Sequence, residues 1–293
     1  MSLIGTMDSG VSALRTFQKG LEVIGNNIAN VNTTGFKSAD VKYADSFSNI
    51  LQASSPAPSG GGGSDTPTVG VGTGVSLAGI ATNFSQGSLS TTGSNTDLGI
   101  SGNGYFVVKN PSDSTSFATR AGSFRMDSQG YLTTQQGYRV QGLTGGAAGS
   151  APATVGDIKL GTPPSGTELQ SFSIDRAGNL VEFYSDGTSA TTNQLLMQNF
   201  NDPSALQAVG NGLYSAMAAA GPVSGSTTLS AASNTPGGSG LGSIQAGTLE
   251  LSNVDLTQQF ANLITTQRSF QAASRLITVS DTVLEDITNL KTR

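Results

Sequence analysis

Apolar positions at the start of the chain step by three or four residues: Ile4, Met7, Val11, Leu14, Phe17, Leu21, Ile24, Ile28 and Val31. That spacing holds one stripe on one side of an α-helix. The end of the chain answers it with Leu256, Leu263, Phe270, Ile277 and Leu284 at seven-residue intervals, the seam of a helix that packs along its whole length. The companion positions of that seam, Phe260, Gln267, Ser274 and Asp281, turn polar, while Leu276, Val283 and Leu290 open a neighbouring stripe. A two-stranded coiled coil keeps both seam positions apolar, so the widening face predicts contact with several helices at once. Two such termini do not cover each other's stripes as a lone pair, and copies of the same chain are the simplest further partners. A helical hairpin sealed within one monomer is the alternative. Ser252 with Asp255 three residues on has capping-box spacing, and Asn253 is a second candidate cap. A helix running from Val254 to about Leu290 would be on the order of 55 Å long, a length that projects from a compact domain.

Between the termini the period changes to two. Alternation around Val71 to Ile80 and the run LGISGNGYFVV from Leu98 read as strands, with Asn103-Gly104 as a hairpin turn. The pattern F-x-x-D-x-x-G-x-L occurs twice at an offset of 48, as Phe124, Asp127, Gly130, Leu132 and as Phe172, Asp175, Gly178, Leu180. Each copy reads as strand, turn, strand, with Asp opening the turn and Gly taking a positive φ. Two unrelated hairpins could also share this form. Gly, Ser and Pro dominate Ser54 to Pro67, Gly142 to Gly156 and Ala218 to Ser243, which marks loops or linkers. The expected fold class is α+β: long N- and C-terminal helices paired in one helical domain (1–53 with 248–293), a flexible linker (54–68) and a central all-β domain (69–247).

Composition removes most chemistry. The 293 residues carry a net charge of −5 at a pI near 4.6 and no basic stripe, so nucleic acid is not an expected partner. There is no Cys and no His, which removes disulfides, thiol nucleophiles, the commonest general base and the commonest metal ligand. No P-loop, G-x-G-x-x-G, G-x-S-x-G elbow or metal-spaced carboxylate cluster is present. The expectation is a protein that is not an enzyme, with no catalytic, cofactor-binding or metal-binding residues. The start MSLIGTMDSG places Asp8 where a signal peptide would be uniformly apolar, and no apolar run approaches the ~18 residues of a membrane span. A secreted adhesin would share the Ser/Thr/Gly-rich β content but leaves the paired termini unexplained.

The most specific string lies at the exit of the first helix, IGNNIANVNTTGFKSADVKYAD. Asn26, Asn27 and Asn30 bring carboxamides to a helix end whose carbonyls lack partners. Thr34-Gly35 then ends the helical pattern, and Phe36 with Lys37 begins an extended segment. Read physically, this is a capped helix exit, whether or not it serves anything further.

The same residues, Asn26, Asn27, Ala29, Asn30, Thr34, Gly35, Phe36 and Lys37, resemble the signature N-x-A-N-x-x-T-x-G-[FY]-K of the bacterial flagellar rod and hook protein family. GISGNGYFVV from Gly99 and TRAGSFRMDSQGYLTTQQGYRVQG from Thr119 resemble that family's β domain, and SNVDLTQQFANLITTQRSFQAASRLI from Ser252 resembles its C-terminal helix. Within the family, the opening VSALRTFQKGLEVIGNNIAN and SNVDLTQQF are more hook-like than rod-like. The overall length and the loop at Ser54 to Pro67 are similar to the distal rod protein, and 143–168 stands where hook proteins carry a larger outer insertion.

The resemblance implies a subunit exported through the flagellar type III apparatus without signal cleavage and resident in the hook or basal body. It implies a hollow helical homopolymer with the helices lining the tube and the β domain forming its wall, transmitting torque as a hook subunit or, alternatively, serving as a distal rod subunit. Other axial proteins (rod and hook–filament junction) and the hook cap are the partners it implies. Subunit packing then falls to Leu14, Leu21, Ile24, Ile28, Leu256, Phe260, Leu263, Phe270, Ile277 and Leu284.

Overall fold

The computed structural model describes residues 3–55, 67–145, 154–161 and 166–291. The chain forms two compact units: unit 1 is Met1–Ala29, Ala39–Asn83 and Asp255–Arg293, and unit 2 is Asn30–Ser38 and Phe84–Val254. The α+β class read from the sequence is what the chain adopts, with its terminal helices packed on each other and a central β-rich region. Most of the expected linker at 54–68, and much of the stretch at 143–168, lie outside the described residues.

Unit 1 holds helices α1 (Leu3–Ala29) and α2 (Leu256–Lys291) and strands β1 (Ala39–Asp45), β2 (Ser48–Gln52), β3 (Val69–Gly72) and β4 (Val75–Thr82). Helix α2 begins two residues later than the spacing suggests, because Asp255 is its cap. The Asp255 carboxylate accepts the Thr257 and Gln258 N–H groups at 2.8 and 3.3 Å, which satisfies two orphan donors and places a negative charge at the positive end of the helix. Ser252 instead accepts the N–H of Val254. The helices run antiparallel: a Cβ added to Gly10 would lie 3.0 Å from Ile277, one added to Gly20 would lie 3.5 Å from Thr266, and Asn27 bonds Gln259. Strand β4 pairs antiparallel with β1 from Ala39↔Thr82 to Asp45↔Val75, with an irregularity at Lys42/Tyr43, and β2 pairs with β3. Tyr43 of β1 meets Phe17 of α1 edge to face at 6.0 Å between ring centroids, and its hydroxyl fills the space over Gly20 that a side chain would need.

Unit 2 holds the remaining strands: β5 (Leu89–Thr91), β6 (Leu98–Ser101), β7 (Tyr105–Lys109), β8 (Ser116–Thr119), β9 (Arg125–Met126), β10 (Leu132–Thr133), β11 (Arg139–Thr144) and β12 (Thr154–Asp157). They continue as β13 (Leu169–Ile174), β14 (Asn179–Tyr184), β15 (Ser189–Leu195), β16 (Met197–Gln198), β17 (Gln207–Gly210), β18 (Leu213–Ser215), β19 (Ser243–Ala246) and β20 (Thr248–Glu250). Among the described residues twelve of them make one antiparallel sheet, whose main path is β13-β14-β15-β11-β7-β8-β18-β17. Strand β7 is buried on both faces: Phe106 and Val108 enter the main core with Leu132, Leu180 and Leu195, while Tyr105 and Val107 enter two smaller clusters. That is why YFVV reads as an unbroken apolar run.

The hairpin expected at Asn103-Gly104 does not form. Strand β6 pairs with β19 near the end of the chain, and β7 pairs with β8, β11 and β16. Asn-Gly serves that purpose at 211–212 instead, where Asn211 and Gly212 take φ of 54° and 71° between the paired Gly210 and Leu213, as a tight two-residue loop requires.

The repeated F-x-x-D-x-x-G-x-L segments are built alike. The Asp127 carboxylate accepts the N–H groups of Gln129 and Tyr131, and that of Asp175 accepts those of Ala177 and Asn179. Gly130 and Gly178 take φ of 83° and 78°, and Leu132 and Leu180 both enter the main core.

Candidate functional site

The asparagine-rich exit of α1 divides between the two units. Within unit 1, Asn27 is buried and its amide spans the backbone of Ala39, donating to the carbonyl at 2.8 Å and accepting the N–H at 3.0 Å. The same Nδ2 donates to the buried Gln259 Oε1 at 3.2 Å. Asn27 therefore does not cap the carbonyls of its own helix, as its position suggested. It joins the end of α1 to the start of β1 and to the first turn of α2. A carboxamide suits this place because it matches a peptide unit donor for acceptor without burying a charge.

Within unit 2, Asn30 begins a turn: its carbonyl accepts the Thr33 N–H at 3.1 Å and its Oδ1 accepts the Thr33 hydroxyl at 3.0 Å. Gly35 follows with φ 68°, and a Cβ there would lie 2.7 Å from the Ala121 nitrogen, so both backbone shape and space demand glycine. Its N–H donates to the Glu250 carbonyl at 2.8 Å. The Asn253 N–H donates to the Phe36 carbonyl at 3.4 Å, and the Ser38 N–H donates to Asn253 Oδ1 at 2.8 Å. The segment after α1 is thus laced to the segment before α2. Thr34 and Phe36 are half-buried, and Ala29, at the end of α1 in unit 1, is exposed.

Lys37 closes the site. Its ammonium donates at 2.7 Å to Glu250 Oε1 and at 2.7 Å to the Ser85 carbonyl, with the Lys37 and Glu250 side chains both fully enclosed. Glu250 also accepts from Arg120 Nη1 at 3.2 Å and from the Gly87 N–H at 2.9 Å. The Arg120 guanidinium lies 5.1 Å over the Tyr105 ring centroid and donates to the Gly102 carbonyl. Burial pushes the Lys37 ammonium below its usual range, partly offset by Glu250. Burial also pushes the Tyr105 and Tyr214 phenols up to about 12. One carboxylate facing two cations in a dry interior is an arrangement for holding chains together: removing one partner of such a pair costs about 3–5 kcal/mol.

Helices α1 and α2 present a different surface. Their buried positions are Gly10, Thr16, Gly20 and Asn27 on one and Gln259 and Ser280 on the other. Of the stripe residues, Leu14, Leu21, Ile24, Ile28, Leu263, Phe270, Ile277 and Leu284 are half-buried, while Leu256 and Phe260 are exposed. Ile264, Leu276, Val279, Val283, Ile287 and Leu290 are exposed as well. A groove of about 590 Å³ lies in the same unit between α1, α2 and the β2–β3 hairpin, with Ala13, Leu51, Val71 and Leu276 in its walls.

The periodicity of the termini identified the stripes, and the motif pointed to Asn27, Gly35 and Lys37. It could not point to Glu250, Arg120, Asn253 or Gln259, whose partners are up to 232 residues away in the chain. An acidic residue just before an amphipathic helix was the one available signal for Glu250.

Three family models match this chain: "Flagella basal body rod protein" over residues 7–37, "Flagellar hook protein FlgE/F/G D1 domain" over 99–182, and "Flagellar basal body rod FlgEFG protein C-terminal" over 245–290. The flagellar basal-body rod protein FlgG of Bacillus subtilis is 37% identical over 289 residues, covering 99% of this chain and all of the relative. That of Caulobacter vibrioides is 32% identical over 294 residues, covering 99% of this chain and all of the relative. The flagellar hook protein FlgE of Borreliella burgdorferi is 26% identical over an alignment of 455 positions, covering 99% of this chain and all of the relative. The first matched segment ends at Lys37 and the last contains Glu250, so these two models meet at the ion cluster of unit 2. The chain belongs to the flagellar rod and hook protein family and is an axial structural protein of the flagellum, not an enzyme.

Proposed function

We propose that this chain is a subunit of the distal rod of the flagellar basal body, polymerising into a hollow tube through its terminal helices. The observation that carries the rod reading over the hook reading is length. The rod proteins align end to end over 289 and 294 positions, whereas the hook protein needs 455 to cover the same chain. A hook protein's additional segment has no counterpart of that size here. The ribbon of β1 with β4 and the hairpin of β2 with β3 support the same reading. They flank the expected linker with paired strands, and a straight, rigid tube needs such connections pinned, whereas a bending joint needs them free.

The hook reading, which the wording of several segments favours, keeps one support. The hook protein of Treponema pallidum is 42% identical over 141 residues, though these are 48% of this chain and 30% of the relative. In either tube the unburied stripes, including Phe260, Phe270 and Ile277, are the subunit contacts. Burying a side chain of this size is worth about 1.5–3 kcal/mol, and several per helix, repeated by each neighbour, lock a polymer that a monomer cannot imitate. Neighbouring axial proteins, the hook cap and the type III export apparatus are the partners this role requires.

The test is location. Immunogold labelling of isolated hook–basal bodies should place the chain in the straight rod. Label along the curved hook overturns the rod reading and restores the hook.

A further inference from the structure

We propose that Glu250 is a completion latch: the segment after α1 seats in unit 2 only when the segment before α2 arrives, so both segments are ordered in one late event. The polar groups of residues 35–38 find most of their partners in residues 250–253. The Gly35 N–H needs the Glu250 carbonyl, the Phe36 carbonyl takes the Asn253 N–H, and the Ser38 N–H needs the Asn253 side chain. The anion of Lys37 is Glu250, 213 residues away. Seating Lys37 before Glu250 arrives buries an unpaired ammonium, which is prohibitive. Glu250 has the converse need, since Lys37, Arg120 and the Gly87 N–H surround its carboxylate.

A third segment is drawn in. The Ser85 carbonyl accepts from both Lys37 and Asn253, and Gly87 has no room for a side chain because a Cβ would lie 2.0 Å from the Leu251 carbonyl oxygen. Residues 35–38, 85–87 and 250–253 therefore satisfy one another. Each lies within a few residues of a point where the chain passes from one unit to the other. Strands β5 and β6 wait on the same stretch, since their partners are β20 and β19. Closing a loop of this length is entropically late. The main sheet from β7 to β18 needs none of residues 243–254 for its strand pairing and can form first.

Pulsed hydrogen exchange during refolding of the full chain tests this in the monomer, so it stands or falls separately from the rod reading. Residues 35–38, 85–87 and 250–253 should gain protection in one phase that follows β7 and β15. Protection of 35–38 ahead of 250–253 overturns the latch. At equilibrium, Glu250→Gln should lower protection of all three segments together by about a hundredfold or more, with β7 and β15 still protected. If Glu250→Gln unfolds the sheet as well, Lys37→Met, which keeps the Glu250–Arg120 pair, decides. Joint loosening of 35–38 and 250–253 supports the latch, and loosening of 35–38 alone overturns it.

Discussion

The two units bury their apolar side chains in opposite ways. Every fully buried large hydrophobic residue among the described residues, from Leu98 to Ile244, belongs to unit 2. In unit 1 the buried positions among the described residues are Gly10, Thr16, Gly20, Asn27, Gln259 and Ser280. Phe47 is 88% exposed and Leu290 76%. Unit 2 thus closes around its own core and encloses the Lys37–Glu250–Arg120 cluster within it. Unit 1 packs Gly10 and Gly20 of α1 against Ile277 and Thr266 of α2 and leaves its long apolar stripes half-buried or exposed, as the polymer proposed above requires. The polymer subunit proposed above would need both properties, a β wall that holds its shape and a helical seam that gains its stability from neighbours.

The comparison breaks most directly at paired truncations. Phe106→Ala should cost unit 2 about 3–5 kcal/mol, since Phe106 is fully buried and meets Phe124 edge to face at 5.2 Å. Phe260→Ala in unit 1 removes a half-exposed ring and should leave the monomer's unfolding free energy, read from urea titration, within about 0.5 kcal/mol of the parent. Equal losses from both would show that unit 1 has a closed core of its own.

What was legible in the chain follows the same division. Helix signals are local, so the three-four steps of α1 and the heptads of α2 announce their elements directly. So do the Asp-x-x-Gly turns, because the Asp127 and Asp175 carboxylates bond to N–H groups two and four residues ahead. Strand pairing is not local. Asn103-Gly104 looks like a hairpin, but β6 takes its partner from residues 243–246, and nothing near residue 103 encodes that. Lys37 was noticed as part of a motif without its reason, since its carboxylate stands at residue 250. Ser252, Asn253 and Asp255 all fit helix-start chemistry, and only the observed first turn singles out Asp255 as the cap.

Assembly gives the next effect. Phe270 is half-buried at the centre of the heptad ladder. Phe270→Asp replaces an apolar contact worth about 1.5–3 kcal/mol with a charge. The critical concentration for polymerisation should rise by about a hundredfold or more, a tenfold step for each 1.4 kcal/mol, while unit 2 keeps its unfolding midpoint. Sedimentation of the variant against the parent measures it. Normal tubes from this variant would remove α2 from the assembly surface.

Asn27 sharpens the contrast on a smaller scale, because it is where unit 1 does use buried hydrogen bonds. Asn27→Ala leaves the Ala39 N–H and carbonyl without their partners at 3.0 and 2.8 Å, at a cost of about 1–3 kcal/mol. The loss should appear as faster exchange along β1 and in the first turn of α2, with unit 2 unchanged. Exchange unchanged in β1 would mean that the Phe17–Tyr43 contact and the bonds of Ser12 and Thr16 to Val75 hold the ribbon to α1 without Asn27.

The smallest effect is read from tyrosine ionisation. A hydrogen bond to Glu182, with burial, pushes the Tyr184 phenol up to about 12, and burial alone is the main cause of the same rise at Tyr105 and Tyr214. All three stand in unit 2. Tyr43 of unit 1 is also raised by burial. A raised phenol keeps its proton in the folded state after the unfolded chain has lost it. Between the ordinary value of 10.0 and about 12 the native state therefore binds more protons, and stability present below pH 10 falls as pH rises through that window. A phenolate absorbance titration should show Tyr105, Tyr184 and Tyr214 ionising late, together with alkaline unfolding of unit 2. If Tyr105 and Tyr214 ionised near the ordinary value while the sheet stayed intact, the closed interior assigned to unit 2 would be wrong there, where the aromatic cluster meets Arg120.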